Sequence, residues 1–176
     1  MTTPSVDTFR TARLIAERLR AGHLAEVSHL HQDTRVMATL GGVLSEESTR
    51  QAIDRGLGHW ERHGYGIWVF RDQATGQFVG RAGLRIIQLG DRTEVELLYA
   101  LMPEFWGKGI ATEIAAAIVT LGFERLGLPD IVAFTLPTNR ASRRVMEKVG
   151  CRYERDIIHA NLTHVLYRLS ARDRVP

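Results

Sequence analysis

The sequence has few of the features that mark secreted, membrane-spanning or nucleic-acid-binding proteins. Cys151 is the single cysteine among 176 residues, which excludes an internal disulfide and is typical of a reducing cytoplasm. No apolar run reaches the roughly 18 residues that cross a bilayer, and the N-terminus lacks the layout of a signal peptide. The net charge of +3 is modest, and no run of five or six basic residues occurs. We therefore expect a cytoplasmic protein without membrane or nucleic-acid partners.

Metal-binding patterns are also missing. His29 and His31 form an H-x-H pair, but two such side chains point different ways on a helix. No other group of His, Cys or Asp has ligand spacing, so no metal is expected. Cys151 follows Gly150 at the start of a predicted strand, and we interpret it as a small core residue rather than a nucleophile.

The length of 176 residues predicts one domain over residues 1–176, and hydrophobic periodicity predicts its strands and helices. The predicted strands are 11–20, 65–71, 78–89, 94–102, 131–136, 152–158 and 162–169, and the predicted helices are 22–32, 45–64, 107–126 and 139–149. Short turns join the middle strands into an antiparallel meander, which excludes strict βαβ alternation. The fold class is therefore α/β (α+β), with a mixed and mostly antiparallel sheet flanked by helices.

The stretch Tyr99-Ala-Leu-Met-Pro-Glu-Phe-Trp-Gly-Lys-Gly-Ile-Ala-Thr-Glu113 combines a strand end, a glycine loop and a helix start. Such a junction offers free backbone N–H groups and a positive helix end to a phosphate. A P-loop is excluded because Lys108 lies between the glycines, and a dinucleotide fingerprint is weakened because Thr112 replaces its third glycine. The third alternative is the acyl-CoA loop of the GNAT N-acetyltransferases, in which Gly109 and Ala111 match and Trp106 departs from the usual Gln or Arg.

Three further segments share a resemblance with the RimJ/RimL-like branch of the GNAT superfamily, the ribosomal-protein N-terminal acetyltransferase-like proteins. That branch has a glycine loop similar to Trp106-Gly-Lys-Gly-Ile-Ala-Thr-Glu. The other matching segments are Thr11-Ala-Arg-Leu-Ile-Ala-Glu-Arg-Leu19, Gly80-Arg-Ala-Gly83 and Thr138-Asn-Arg-Ala-Ser-Arg-Arg-Val-Met-Glu-Lys-Val-Gly150. The resemblance covers about residues 11–169.

This resemblance implies a fold and an activity. The GNAT sheet splays between its fourth and fifth strands, here predicted at 94–102 and 131–136. The implied reaction transfers an acetyl group from acetyl-CoA, the co-substrate, to a primary amine by direct attack in a ternary complex. The acceptor is a protein N-terminus or a small amine. The alternative is a GNAT fold that binds acyl-CoA as a sensor without turnover.

By the same resemblance, one set of residues binds the cofactor. The backbone amides of Gly107, Lys108, Gly109, Ile110, Ala111 and Thr112 are expected to cradle the CoA pyrophosphate. Leu101 and Met102 border the pantetheine arm, and the Leu101 N–H is the expected oxyanion donor. Asn139 resembles the asparagine that contacts pantetheine, although a simple helix N-cap is an alternative interpretation.

Two side chains are candidates for proton transfer. Glu96 resembles the acidic residue that deprotonates the amine through a water, or alternatively forms a cross-strand pair with Arg81 or Arg85. Many relatives carry a tyrosine acid where this chain has Met146, so Ser142 is the candidate acid. Its alternative role is a hydrogen bond to CoA or to a helix carbonyl.

The resemblance places the acceptor site around residues 37–64 and the hairpin 157–164. In that hairpin His164 stands where the branch usually has an acidic residue, which disfavours a ribosomal-protein substrate. A homodimer through the edges of the final strands is also expected.

Overall fold

The strands of residues 6–174, the part of the chain that this computed structural model describes, form one sheet in the order β1-β2-β3-β4-β5-β6-β8-β7. They are β1 (Thr8–Arg10), β2 (Leu14–Arg18), β3 (Ile67–Asp72), β4 (Phe78–Leu89), β5 (Arg92–Leu101), β6 (Asp130–Thr135), β7 (Arg152–His159) and β8 (Leu162–Ser170). Neighbouring strands pair antiparallel, except that β5 and β6 run parallel. The predicted mixed and mostly antiparallel sheet is therefore confirmed.

The helices begin and end at residues that suit those positions. They are α1 (Leu24–Gln32), α2 (Thr34–Met37), α3 (Glu46–His63), α4 (Ile110–Glu124) and α5 (Arg140–Lys148). Ser45 caps α3 because its Oγ accepts a hydrogen bond from the Ser48 N–H. Gly64 ends the same helix in the left-handed conformation, with φ of 72°.

Two elements are missing from the sequence-based prediction. The strand β1 has three residues and the helix α2 has four, which is too short for a hydrophobic period to appear. The cap of α2 was readable, since the Asp33 carboxylate accepts from the backbone N–H groups of Arg35 and Val36. The sequence therefore predicts one strand and one helix fewer than the structure contains between residues 6 and 174.

Two predicted boundaries are wrong for local reasons. The strand predicted from Thr11 begins at Leu14, because residues 11–13 form a turn in which the Leu14 N–H donates to Thr11 Oγ1. The helix predicted from Gly107 begins at Ile110. Gly107 and Gly109 have φ of 70° and 74°, a conformation outside the right-handed helix that glycine adopts without strain.

The two larger hydrophobic clusters lie on opposite faces of the sheet. One contains Leu97 and Leu101 of β5 with Ile114 and Ile118 of α4. The other contains Ala100 of β5 with buried residues of α1, α2 and α3. Because side chains alternate along a strand, the odd residues of β5 face α4 and the even residues, including Glu96, face the first three helices.

The strands β5 and β6 separate toward their carboxyl ends. Their register has one residue pair, Glu96 opposite Val132, within the described chain. Beyond this pair β5 continues to Leu101 along β4 and leaves a gap on its β6 side. This is the splay that the resemblance implies.

Two further observations concern the surface. No helix between residues 6 and 174 is long and apolar enough to cross a bilayer. The strand β7 lies at one end of the sheet order, so its outer edge has no partner strand within this stretch. The homodimer through final-strand edges stays a prediction.

Candidate active site

The glycine loop presents backbone donors at the start of α4. The first intrahelical bond runs from the Glu113 N–H to the Gly109 carbonyl. The N–H groups of residues 110–112 therefore have no intrahelical partner. None of them donates to another group among residues 6–174. With the positive end of the fifteen-residue helix α4, these amides form a site suited to a phosphate group.

An ionic contact holds this loop against the start of β2. Arg13 Nε donates to Glu113 Oε2 at 2.6 Å, and Arg13 Nη1 donates to the Lys108 carbonyl at 2.9 Å. The other Glu113 oxygen accepts from Thr11 Oγ1 at 2.6 Å. Burial opposes ionisation of Glu113, but the hydrogen bonds from Thr11 and Arg13 outweigh it and lower the Glu113 pKa. The Thr11 and Arg13 positions of the N-terminal motif therefore position the loop.

Trp106, the departure from the usual loop motif, connects the loop to the strand end. Its indole Nε1 donates to the Leu101 carbonyl at 2.9 Å. The Met102 N–H donates to the Val79 carbonyl at 2.8 Å, on the β4 side. Because backbone groups of a strand alternate in direction, the Leu101 N–H points away from β4 and into the gap. Within the described chain the Leu101 N–H is thus a free donor, whereas the Met102 N–H is bonded to the Val79 carbonyl.

At the start of α5, Asn139 acts as the N-cap. Its Oδ1 accepts from the Ser142 N–H at 3.1 Å. The predicted N-cap role is therefore present. No acceptor for its side-chain NH₂ group occurs in the described part of the chain, so that group remains available to a ligand.

Ser142 contacts Tyr99, a residue to which the sequence alone assigns no chemical role. Tyr99 OH lies 2.9 Å from Ser142 Oγ and 3.1 Å from the Ser142 carbonyl. Burial raises the pKa of Tyr99 to about 12, so the phenol stays protonated at physiological pH. One feature of the sequence does indicate this contact. Tyr99 is an odd-numbered residue of β5, and side chains alternate along a strand, so its ring points toward α4 and α5.

Two neighbouring predictions concern core residues. Met146, which stands in the tyrosine position of many relatives, is buried in the core beside α4. Cys151 is also buried there, and burial raises its thiol pKa to about 11. A thiol held protonated in this way is a poor nucleophile.

On the opposite face of β5, Glu96 is buried and ionically paired. Its side chain is 6% exposed, and its Oε2 accepts from Arg85 Nε at 2.6 Å. Arg85 and Glu96 are direct cross-strand partners in the β4–β5 ladder. The charge pair that we gave as the alternative role of Glu96 is therefore formed, and it holds the carboxylate on the face of the first three helices.

A cavity of about 560 Å³ opens on this same face. Ile53 and His59 of α3, Arg81 and Arg85 of β4, and His159 of the final hairpin contribute to its wall. The regions predicted to hold the acceptor, residues 37–64 and the hairpin 157–164, both contribute to this wall, and the acceptor site itself stays a prediction. His164 lies nearby, in edge contact with His159 and Phe134. No group of three or more metal-ligating side chains occurs among residues 6–174.

Comparison with known proteins identifies similar chains. The sequence profile of the acetyltransferase (GNAT) domain matches residues 13–152. An FsC-acetyl coenzyme A-N(2)-transacetylase of Aspergillus fumigatus is 32% identical over 181 residues, covering 94% of this chain and 68% of that protein. An acetyltransferase structure from Agrobacterium tumefaciens has a TM-score of 0.82 and 27% identity, covering 96% of this chain and 95% of that one.

A further structural neighbour contains the cofactor. RimL, a ribosomal alpha-N-protein acetyltransferase solved in complex with coenzyme A, has a TM-score of 0.78 and 18% identity. The match covers 93% of this chain and 97% of the RimL chain. Ribosomal-protein acetyltransferases are thus among the structural neighbours of this chain. At 18% identity this similarity concerns the fold alone.

Proposed function

This chain belongs to the GNAT acetyltransferase family, and from that premise we propose that it transfers the acetyl group of acetyl-CoA to a primary amine by direct attack in a ternary complex. The observation that carries the proposal is the gap between β5 and β6. The glycine loop, Tyr99 and Ser142 lie on the α4 side of the sheet. Glu96 and the cavity lie on the other side, which faces the first three helices. The two substrates can thus reach the same gap from opposite faces.

The donor side binds and polarises acetyl-CoA. The amides of the loop, Gly107 to Thr112, hold the pyrophosphate, and the side-chain NH₂ of Asn139 holds the pantetheine arm. The Leu101 N–H points into the gap, so it donates to the thioester carbonyl oxygen as that oxygen becomes an oxyanion. We assign this donor role to Leu101 alone, because the Met102 amide is bonded to Val79.

The acceptor side prepares the amine. The ammonium loses a proton, through a water, to the Glu96 carboxylate, and the neutral nitrogen attacks the carbonyl carbon. The new C–N bond gives a tetrahedral intermediate, whose collapse breaks the C–S bond. Arg85 stabilises the Glu96 carboxylate between turnovers.

The leaving thiolate needs a proton. Ser142 Oγ supplies it and receives a proton from Tyr99 OH, which lies 2.9 Å away. The acylated nitrogen releases its second proton to solvent, Glu96 releases the proton that it accepted, and Tyr99 is reprotonated from solvent. This relay supplies, from a strand and a helix, the phenol proton that many relatives obtain from a tyrosine at the Met146 position.

The first experiment compares Gly109→Asp with Gly127→Asp. Both glycines have positive φ and flank α4, but Gly127 lies at the far end of the helix. We expect Gly109→Asp to weaken acetyl-CoA binding at least tenfold by calorimetry, because a carboxylate would face the pyrophosphate. Gly127→Asp should bind like the wild type. Equal acetyl-CoA affinity in all three proteins would exclude the phosphate cradle.

Turnover separates an enzyme from a sensor. Release of CoA thiol is measured with a panel of amino acids, polyamines and peptides. Acetyl transfer predicts acceptor-dependent thiol release, with the acetylated amine detected by mass spectrometry. Tight acetyl-CoA binding without any acceptor-dependent release would favour the non-catalytic sensor.

A further inference from the structure

The cavity beside Glu96 is strongly cationic. Its wall includes the cations Arg55, Arg62, Arg81 and Arg85. It also includes His31 and His59, whose pKa values burial lowers, so these two rings are neutral at physiological pH. No aspartate or glutamate belongs to that wall within the described chain. A concave surface of one charge sign attracts ligands of the opposite sign.

Arg81 is the innermost of these cations that lacks an acidic partner. Arg85 is paired with Glu96, but Arg81 forms no salt bridge with any residue between 6 and 174. Its Nε donates to His31 Nε2 at 3.0 Å, and its two Nη groups have no protein acceptor in that range. Among the described residues, Ser28 Oγ is the only fully buried side-chain polar atom without a hydrogen-bond partner. The Nη groups of Arg81 are therefore not fully buried, and they are accessible from the cavity. A guanidinium so placed presents both Nη groups to an anion that enters the cavity.

His31 orients this guanidinium. Burial, together with the charge of Arg81, lowers the His31 pKa to about 4, so the imidazole is neutral at physiological pH. Because Nε2 accepts from Arg81, the proton lies on Nδ1, which is 3.1 Å from Thr49 Oγ1. Burial lowers the Arg81 pKa to about 10, which still leaves the side chain charged. The Thr49–His31–Arg81 chain therefore fixes a cation with both Nη groups unused.

The position of Arg81 connects the cavity to the reaction. Arg81 lies opposite Ala100 in the β4–β5 ladder, and Ala100 directly precedes Leu101. The Leu101 N–H is the proposed oxyanion donor. An anion on Arg81 thus lies on the acceptor face, close to the point at which the amine attacks.

We propose that this cavity binds a carboxylate of the acceptor, so that the substrate is an amine that also carries a carboxylate. The two free Nη groups match the two oxygens of a carboxylate in a bidentate pair. This assignment rests on the proposed acetyl transfer for its amine, but the carboxylate site itself does not require turnover. The carboxylate can belong to a free amino acid or to an acidic residue of a peptide.

Paired acceptors test the assignment. CoA thiol release is measured for free amino acids and for their carboxamides, and for peptides with Asp or Asn at the second position. We expect the carboxylate member to be favoured at least about 30-fold in kcat/KM, the range of a buried charge pair. Preference within the amino acid pairs identifies a free amino acid, and preference within the peptide pairs identifies a peptide.

Three variants locate the preference. Arg81→Met should abolish it mainly through a higher KM for the carboxylate acceptor, while the carboxamide is used as before. Arg81→Lys should retain part of it, because the charge remains but the bidentate geometry is lost. The control is Arg50→Gln, an exposed arginine of α3 that pairs with Glu46 and lies outside the cavity wall; it should keep the full preference.

Folding and turnover are checked separately. Because Arg81 is only partly buried and has no salt-bridge partner among residues 6–174, Arg81→Met should shift the melting temperature by no more than about 4 °C. Titration of CoA-loaded protein with N-acetylglycine and N-acetylglycinamide measures the carboxylate site without catalysis. At least tenfold tighter binding of the carboxylate by the wild type, lost in Arg81→Met, supports the site even if no acceptor turns over. Transfer to amines with no carboxylate preference and unchanged Arg81→Met kinetics would overturn the site and leave acetyl transfer intact.

Discussion

Tyr99 and Ser142 show how two ordinary residues acquire a shared chemistry through one contact. Serine and tyrosine hydroxyls are both weak acids in water. The 2.9 Å hydrogen bond joins them, and burial raises the Tyr99 pKa to about 12. The pair therefore holds its protons over the whole physiological range and can donate a hydrogen bond to the thiolate as the C–S bond breaks.

The relay makes a prediction for single and double variants. Ser142→Ala should lower kcat about 10- to 100-fold, with the KM for acetyl-CoA changed less than about threefold. Tyr99→Phe should also lower kcat, and the double variant should be little worse than Ser142→Ala because both hydroxyls serve one proton. Stopped-flow and steady-state kinetics give these values. Multiplicative losses in the double variant would show that the two hydroxyls act independently.

At the scale of elements, the start of α4 is held by contacts with a turn about a hundred residues earlier in the chain. Glu113 accepts from Thr11 Oγ1, from the Arg13 N–H and from Arg13 Nε. Arg13 also reaches the Lys108 carbonyl. This contact orders the glycine loop before the cofactor arrives, which reduces the entropic cost of binding.

Removal of that contact should weaken cofactor binding without affecting chemistry. We expect Glu113→Ala to raise the Kd for acetyl-CoA about five- to tenfold, while kcat at saturation changes little. The matched control is Glu124→Ala, an exposed carboxylate at the other end of α4. Calorimetric titration of both variants decides the matter. An unchanged Kd in Glu113→Ala would mean that the loop is rigid without the contact.

At the scale of the whole molecule, the buried His31 links stability to pH. The His31 pKa is near 6.5 in the unfolded chain and about 4 in the folded protein, because burial disfavours the charged ring. Between these values the unfolded chain binds more protons. The contribution of His31 is therefore fully present above pH 6.5 and is lost as the pH falls through 6.5 toward 4.

This linkage can be measured by chemical unfolding at pH 7.5 and pH 5.0. His31 should account for a loss of about 2 kcal/mol in unfolding free energy between the two conditions. The His31→Gln side-chain amide can still accept a hydrogen bond from Arg81. Between the two pH values, the unfolding free energy of this variant should fall by about 2 kcal/mol less than that of the wild type. The control is His29→Gln, an exposed histidine on the same helix, which should behave like the wild type. Equal pH dependence in all three proteins would contradict a neutral buried His31.

Features that depend only on neighbouring residues in the chain could be predicted from the amino-acid sequence. The glycine loop before α4, the Ser45 and Asn139 caps, and the turns of the meander were all readable, because each rests on the conformational preference of a few consecutive residues. The order of the elements and the family followed from these local signals. Even here the starts of α4 and β2 were misplaced, since the φ angles of Gly107 and Gly109 and the Thr11 turn are not visible as periodicity.

The contacts between side chains that are distant in sequence could be learned only from the folded protein. Tyr99 and Ser142 are 43 residues apart, and Arg81 and His31 are 50 apart, so their contacts depend on strand register and on which face each helix covers. The sequence left Glu96 as a base or as a partner of Arg81 or Arg85, and the β4–β5 register selected Arg85. Among residues 6–174, Arg81 is then left without a salt-bridge partner at the cavity wall. A one-residue slip of the register would move every side chain of β4 to the other face, which is why no local signal could reveal it.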